Sequence, residues 1–124
     1  MSQSRHGVGP LTEEMRRLLR VEIFKDTCTA DMVAGLYAVS RRTLTRHLKA
    51  EGRTFRQVAN AVRCEVACTL LAETDLPLSQ IAEVLNYSEI SAFSRAFRRW
   101  SGQPPSVWRS NHRARAGRSR RRRA

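Results

Sequence analysis

Basic side chains in the segment RRTLTRHLKAEG (41–52) recur on one side of a predicted helix. An α-helix turns about 100° per residue, so when Leu44 faces a core, Arg42, Arg46 and Lys49 lie on the opposite side. A guanidinium group can donate to both acceptors of a guanine edge and can pair with phosphate oxygens. The pattern therefore indicates recognition of a polyanion, and the major groove of double-stranded DNA admits such a helix.

A second segment, NYSEISAFSRAFRRW (86–100), places its side chains in the same way. When Phe93 faces a core, Ser91, Arg95 and Arg98 point outward, and the aromatic side chains anchor the inner side of the helix. Any surface helix has an apolar stripe and a charged face, so one such helix alone is weak evidence for DNA binding. Two helices with matched basic edges are stronger evidence.

The two segments belong to a repeated unit of the chain. Each unit contains a short helix, a turn, a capped second helix and a glycine stop, and the second turn is slightly longer. The matched positions, 48 to 50 residues apart, are Val33-Ala34 and Ile81-Ala82, Leu44 and Phe93, Arg46 and Arg95, Leu48 and Phe97, and Gly52 and Gly102. This arrangement is typical of a helix-turn-helix motif that occurs twice.

The rest of the chain supplies the elements that must hold these units. No window alternates apolar and polar residues as a strand would, so the sequence predicts an all-α fold of about seven helices. The expected organisation is a flexible leader (1–11), a first helix-turn-helix subdomain (12–53), a linker helix (54–74), a second helix-turn-helix subdomain (75–110) and a disordered Arg-rich tail (111–124).

Local signals set the expected helix ends and core faces. The first helix is expected to start near Thr12, Ser40 is expected to cap the third helix, and Gly52 is expected to end it. The residues expected to face the core from the first two helices are Met15, Leu18, Leu19 and Ile23, followed by Val33, Leu36 and Tyr37.

The linker helix has a length that matters for DNA. At about 1.5 Å per residue, some 20 residues span roughly 30 Å, and successive major-groove faces of B-DNA lie about 34 Å apart. A rigid linker of this length could hold two recognition helices in adjacent major grooves on one side of the duplex. If their spacing is not ideal, the DNA must bend to accept both.

The charge of the chain favours the same class of partner. The formal net charge is +12, and 21 of the 23 basic residues are arginine, although coding bias is an alternative explanation for that ratio. Such an excess of positive charge indicates a polyanionic partner, with nucleic acid as the first candidate and an acidic membrane surface as the second. No apolar stretch approaches a membrane span, and the N-terminal residues lack the apolar core of a secretory signal, so we expect a cytoplasmic, nucleoid-associated protein.

The sequence indicates no catalytic or metal site. Cys28, Cys64 and Cys68 are an odd number of thiols, which fits a reducing cytosol. Cys64 and Cys68 could share a helix face and a metal ion, but no third ligand lies at ligand spacing. The chain also lacks a phosphate-cradling glycine loop and an acid–base constellation, so we expect no metal, no cofactor and no enzymatic activity.

Two longer stretches contain the repeated units, VAGLYAVSRRTLTRHLKAEG (33–52) and RCEVACTLLAETDLPLSQIAEVLNYSEISAFSRAFRRWSGQPPSVWR (63–109). Both resemble the DNA-binding domain of AraC/XylS-type bacterial transcriptional regulators. The positions that carry the resemblance most closely are Ile81-Ala82, Phe93, Arg95, Phe97, Gly102, Pro105 and Trp108-Arg109. The resemblance implies two helix-turn-helix subdomains joined by a long helix, which bind double-stranded DNA and activate or repress transcription, with RNA polymerase as a second partner.

The resemblance also implies which residues contact DNA. The base-reading residues would be Arg42, Thr45 and Arg46 in the first unit, and Ile90, Ser91 and Arg95 in the second. Beside these positions, we expect the flanking basic residues Arg41, Lys49, Arg98 and Arg99 to contact the DNA backbone. Ile90 lies off the outward face but near the helix start, where contact with a thymine methyl group would suit it. Glu89 either stabilises the helix end through the helix dipole, which we favour, or accepts from a cytosine amine.

Two departures from the family pattern keep a second hypothesis open. The turns of the family often hold glycine, where this chain has Ala38 and Asn86. Asparagine tolerates a positive φ and alanine does so at a cost, so the first turn is expected to be strained or differently shaped. Family members commonly have a separate effector-binding domain, usually N-terminal, whereas only about 11 residues precede the first predicted helix here. We therefore expect either a stand-alone DNA-binding protein or a fragment of a longer regulator. The alternative is a nonspecific nucleic-acid-binding or protein-interaction module with a degenerate helix-turn-helix.

Overall fold

The structure is a computed structural model that describes residues 9–25 and 28–113. It contains seven helices in these ranges and no strand, which confirms the predicted all-α class. The helices are α1 (Pro10–Glu22), α2 (Ala30–Leu36), α3 (Arg41–Ala50), α4 (Phe55–Glu73), α5 (Leu78–Val84), α6 (Ile90–Ser101) and α7, residues 105–113. None of the helices in the described part of the chain is long and apolar enough to cross a membrane.

The expected leader and tail lie largely outside the described ranges. Residues 1–8 of the leader and residues 114–124 of the tail are not among them. Helix α1 starts at Pro10, two residues earlier than expected, because proline has the φ of a first helical position and no N–H to satisfy there. Helix α7 includes residues 111–113, which the sequence placed in the tail.

The chain divides into two compact units, residues 1–63 and 64–124, and the division falls inside α4. The first unit buries apolar side chains from four helices. They are Met15 and Leu19 on α1 and Ile23 at its C-cap, Val33 and Ala34 on α2, Leu44 and Leu48 on α3, and Val58, Ala59 and Val62 on α4. The expected stripe of α1 is thus confirmed at three positions, and Leu18 is only half-buried.

Leu36 does not face the core, contrary to the sequence-based prediction. Its side chain is 56% exposed, whereas Val33 and Ala34 are buried and Tyr37 is half-buried. Around the helix axis, Leu36 lies about 110° from the direction shared by Val33 and Ala34, so it cannot turn inward with them. The prediction was wrong because α2 has only seven residues, which is too short to define an apolar stripe by periodicity.

Glu51 caps the first helix from the far end of α3. Its carboxylate accepts hydrogen bonds from the backbone N–H of Leu11 at 3.0 Å and of Thr12 at 2.9 Å, and from Thr12 Oγ1 at 2.7 Å. Helix α1 needs this partner because its N-cap, Gly9, has no side chain that could accept from the helix. A Cβ atom at Gly9 would lie 2.3 Å from Glu51 Cδ, so the carboxylate also occupies the space beside it.

The second unit has an aromatic core. Phe93 and Phe97 are fully buried on α6, and their ring centroids are 5.9 Å apart. Tyr87 packs against Phe93 at 5.9 Å, and Trp108 of α7 meets Phe97 edge-on at 6.1 Å. These rings support α6 from its inner side, which leaves the opposite side exposed.

Helix α7 also satisfies the last carbonyl groups of α4. Arg109 Nε donates to the carbonyl of Leu71 at 3.0 Å, and its Nη2 donates to the carbonyl of Thr74 at 3.3 Å. Arg113 donates to the same Thr74 carbonyl and forms an ion pair with Asp75 at 2.8 Å. Because the carbonyls of a last helical turn have no partner within the helix, these arginines act as its C-terminal cap.

Candidate nucleic-acid interface

The two helix-turn-helix turns each contain one residue in the left-handed region, although the second turn is one residue longer. Ala38 and Asn86 both lie in the left-handed region, with φ of 58° and 68°. In each turn the next residue donates back into the preceding helix, from Val39 N to Ala34 O at 3.0 Å and from Tyr87 N to Ala82 O at 2.9 Å. This is the Schellman pattern of hydrogen bonds. The first turn therefore places an alanine in a strained conformation, as expected, and it leaves its first helix through the same hydrogen-bond pattern as the second turn.

Helices α3 and α6 begin differently. Ser40 Oγ accepts from the backbone N–H of Thr43 at 3.1 Å, which confirms the predicted N-cap. The side chain of Glu89, at the N-cap of α6, makes no hydrogen bond to the backbone of its helix. Its Oε1 accepts from Ser91 Oγ at 3.2 Å instead. Helix α6 starts at Ile90, because Glu89 still has an extended backbone with φ of −140°.

The outward side of α3 gathers every residue predicted to contact DNA in the first unit. Leu44 and Leu48 are buried, and the opposite side is exposed. The exposed residues, which together line an open depression of about 600 Å³, are Arg41, Arg42, Thr45, Arg46 and Lys49. Four of these five side chains are cationic, so the surface is suited to an anion with hydrogen-bond acceptors.

Arg41 has one ionic neighbour on this surface. Its Nη1 lies 3.8 Å from Asp31 Oδ2 of α2, and both side chains are largely exposed. A pair of this kind contributes between 0 and about 1 kcal/mol, because water and salt screen it. Arg41 can therefore exchange Asp31 for a phosphate at little cost.

Helix α6 presents the corresponding side in the second unit. Phe93, Ala96 and Phe97 are buried, and Ile90 is 44% exposed. The other predicted DNA-contacting residues of this helix, Ser91, Arg95, Arg98 and Arg99, are all exposed. Across the described ranges, none of these three arginines forms an ion pair with a carboxylate. Their charges remain available to an external partner.

The repeat identifies one further candidate DNA-contacting position that the family resemblance did not, because it is the counterpart of Thr45 in the second unit. Thr45 corresponds to Ser94 at the offset of 49 residues that matches α3 to α6. Ser94 is half-buried on the flank of α6, and Thr45 is exposed. The offset between the repeats could have identified Ser94 from the sequence alone.

The thiols of Cys64 and Cys68 interact with each other in the second unit. A hydrogen bond from Cys68 lowers the pKa of Cys64 to about 7, against the opposing effect of burial. The same bond and burial raise the pKa of Cys68. In the first unit, burial raises the pKa of Cys28. Within the described residues, no group of three or more His, Cys, Asp and Glu side chains could hold a metal ion.

Comparison with known proteins also identifies helix-turn-helix units in this chain. The family model described as a helix-turn-helix domain matches residues 33–111. The HTH-type transcriptional regulator VqsM of Pseudomonas aeruginosa is 35% identical over 97 residues, which cover 74% of this chain and 30% of VqsM. The chain thus spans less than a third of the length of this curated relative.

Two solved structures have the same fold. The C-terminal domain of AraT, a response regulator from Geobacillus stearothermophilus, matches with a TM-score of 0.74 and 31% identity, over 87% of this chain and 88% of that one. The DNA-binding domain of AdpA, solved in complex with a target DNA, matches with a TM-score of 0.72 and 24% identity, over 84% and 94% of the two chains, which shows the fold alone. By its repeated turn-and-helix units and by these matches, the chain belongs to the AraC/XylS-type helix-turn-helix family of transcriptional regulators.

Proposed function

We propose that this chain binds double-stranded DNA sequence-specifically and forms the DNA-binding part of a transcriptional regulator. The observation that supports this most is the pair of exposed cationic edges on α3 and α6, each opposite buried apolar anchors and each preceded by the same left-handed turn. A single helix with such an edge would be an ordinary surface helix. The family consists of transcriptional regulators rather than enzymes.

In this proposal the arginines on the two outward faces read bases. Arg42, Arg46 and Arg95 can each donate to both acceptors of a guanine in the major groove. Thr45 can donate to or accept from a base edge, whereas Ser91, whose proton is bonded to Glu89, can accept. The exposure of both side chains on the outward faces supports that role. Ile90, 44% exposed at the start of α6, would contact a thymine methyl group.

The flanking cations would position the helices on the backbone. Arg41, Lys49, Arg98 and Arg99 are exposed at the edges of the reading surfaces. Contacts to phosphates set the register of a protein on the duplex but carry no sequence information by themselves. Each phosphate that these side chains neutralise would contribute about −0.9 to the slope of log affinity against log salt concentration.

We further propose that the two reading helices enter adjacent major grooves. Helix α4 is an unbroken run of 19 residues, which corresponds to about 28 Å at 1.5 Å per residue. Successive major-groove faces are about 34 Å apart, so bending of the DNA toward the protein would accommodate both helices. Transcription would then be regulated by contact with RNA polymerase or by blocking its access, in the bacterial cytoplasm.

Selection of bound sequences from a random duplex pool at physiological salt would test sequence specificity. We expect one preferred site with two separated base patterns, and footprinting should protect two segments about one helical turn apart. Equal affinity for all duplexes would instead favour the nonspecific module, and protection of a single groove would contradict two-groove insertion. The matched turn at Ala38 removes one reason for considering the first unit degenerate.

A further inference from the structure

The N-terminal end of α6 carries a carboxylate that local helix capping does not explain. At the matched end of α3, Ser40 caps its helix through a side-chain hydrogen bond. Glu89 occupies the N-cap position of α6 without such a bond. The helix dipole stabilises a negative charge at this end of the helix. Serine, aspartate and asparagine are nevertheless the better N-caps, because their side-chain oxygen also accepts a hydrogen bond from the helix backbone. The side chain of Glu89 is therefore directed elsewhere.

Glu89 is instead bonded to Ser91, which faces outward from α6. Ser91 Oγ donates to Glu89 Oε1 at 3.2 Å, and both residues are exposed. A hydroxyl group has one proton to donate, and here that proton is used within the pair. Toward a third group, the pair therefore presents only acceptors, which are the carboxylate oxygens and the remaining lone pairs of Ser91 Oγ.

The charge of Glu89 opposes general DNA binding. In the part of the chain that the structure describes, no Lys or Arg forms an ion pair with it. A carboxylate on a helix edge that otherwise presents Arg95 and Arg98 repels the phosphate backbone. Such a charge lowers the affinity for every sequence, unless one base supplies a donor that compensates for the repulsion.

We propose that Glu89 and Ser91 act together as a specificity-determining pair that selects cytosine in the major groove. This rests on the proposed function of the chain. Cytosine presents an amine donor there, whereas guanine presents two acceptors and thymine presents a carbonyl and a methyl group. Adenine also has an amine donor, but its N7 acceptor lies beside that amine and would face an acceptor of the pair.

Base preferences of substituted chains would test this role. We would select bound sequences from a random duplex pool with the wild-type chain, with Glu89→Gln and with Glu89→Ser. The wild type should prefer cytosine at one position of the second base pattern. Glutamine reads adenine through N6 and N7, so Glu89→Gln should shift that position toward adenine and lower the cytosine-to-adenine ratio about tenfold. Glu89→Ser should lose the cytosine preference although serine is a better helix cap.

Glu83→Gln is the matched control. Glu83 is an exposed carboxylate of α5 that borders the same surface depression as Glu89, so its substitution removes an equal charge nearby. It should raise the affinity for all duplexes alike and leave the base preferences unchanged. Thermal melting of each variant would show whether the fold is intact, and Glu89→Ser should be at least as stable as the wild type.

Each outcome separates the reading role from its alternatives. If Glu89→Gln retains the wild-type base preferences, the reading role is wrong and sequence-specific binding still stands. If Glu89→Ser retains them, Glu89 acts only at the helix end. If the wild type itself has no base preference at any position, the proposed function fails and this pair fails with it.

Discussion

Thr12 and Glu51 join the start of α1 to the end of α3, 39 positions apart in the chain, through two hydrogen bonds of 2.7 and 2.9 Å. The contact holds α1 against α3, the first reading helix, because a residue at the end of α3 caps the start of α1. Because Gly9 offers no side chain of its own, the end of α1 depends on this carboxylate. The interaction therefore belongs to the tertiary structure, although it performs the work of a local cap.

Glu51→Ala should destabilise the first unit by about 1 kcal/mol, the usual contribution of an N-terminal cap. Burial raises the pKa of Glu51, but the bonds from Thr12 and Leu11 outweigh burial and lower it overall. A lowered folded-state pKa means that the stabilisation is fully present above the unfolded-state pKa of about 4.3 and disappears as the pH falls through the folded-state value. Chemical denaturation at neutral and acidic pH would measure the difference.

A double-mutant cycle with Thr12→Val supplies the control for Glu51. If the two residues stabilise each other, the double variant should lose less stability than the sum of the single variants. Strict additivity, or a loss for Glu51→Ala that stays the same at low pH, would contradict the capping role.

Ala38→Gly should stabilise the chain, because glycine adopts the left-handed conformation without the clash of a Cβ atom. The clash costs about 1–2 kcal/mol, and the greater freedom of glycine in the unfolded chain offsets part of the gain, so we expect a net increase of roughly 0.5–1 kcal/mol. Ala50→Gly, an exposed position in ordinary helical conformation, is the matched control and should destabilise by a similar amount. Equal effects of the two substitutions on the unfolding midpoint would refute the strain at Ala38.

Arg95→Ala and Arg98→Ala should weaken DNA binding in different ways. Arg95 is proposed to read a base, so its loss should cost about 1–3 kcal/mol on the preferred site and relax one base position. Arg98 is proposed to contact a phosphate, so its loss should weaken binding to all sequences alike and flatten the salt slope by about 0.9. Titration of specific and random duplexes at several salt concentrations would distinguish them. A parallel fall of both affinities for Arg95→Ala would show that Arg95 does not read a base.

Deleting residues 114–124 should flatten the salt dependence of DNA binding and leave the preferred site unchanged. This segment contains six arginines and no acidic residue, and each phosphate that it neutralises contributes about −0.9 to the slope. The deletion keeps Arg113, which pairs with Asp75. A changed base preference would overturn a role limited to phosphates, and an unchanged slope would mean that the segment does not contact DNA.

Cys64 should be the thiol that reacts fastest with iodoacetamide near neutral pH. The hydrogen bond from Cys68 lowers its pKa to about 7, so its thiolate should form as the pH rises through that value. Cys68→Ala removes the donor and should move the midpoint of the reaction upward. Mass spectrometry of peptides alkylated between pH 6 and 9 would measure both midpoints. Equal midpoints in the two proteins would rule out this hydrogen bond as the cause.

Most of the helices could be predicted from the sequence because their signals are local. Ser40 and Gly52 bound α3, and the apolar spacing of Leu44 and Leu48 assigns its inner side. The repeat then assigned α6 by analogy. Prediction failed at Leu36, because seven residues do not determine which side of a helix the neighbouring helices cover.

The outward-facing residues of the candidate site could likewise be predicted from the sequence. Its residues follow from which side of each reading helix is buried, and helical spacing determines that side. The hydrogen-bond partner of Glu89 was not predictable, because a carboxylate at a helix start can bond either to the backbone or to a neighbouring side chain. Only coordinates distinguish the two, and here the partner is Ser91.

The amino-acid sequence by itself determined the all-α class, the doubled helix-turn-helix and the two cationic edges, because periodicity, capping residues and charge act over one or two helical turns. The tertiary structure alone decided how the start of α1 and the end of α4 are satisfied. Glu51 reaches α1, and Arg109 reaches the last turn of α4 from 38 positions away. These contacts join residues distant in the chain, and only the packing of whole helices brings such residues together.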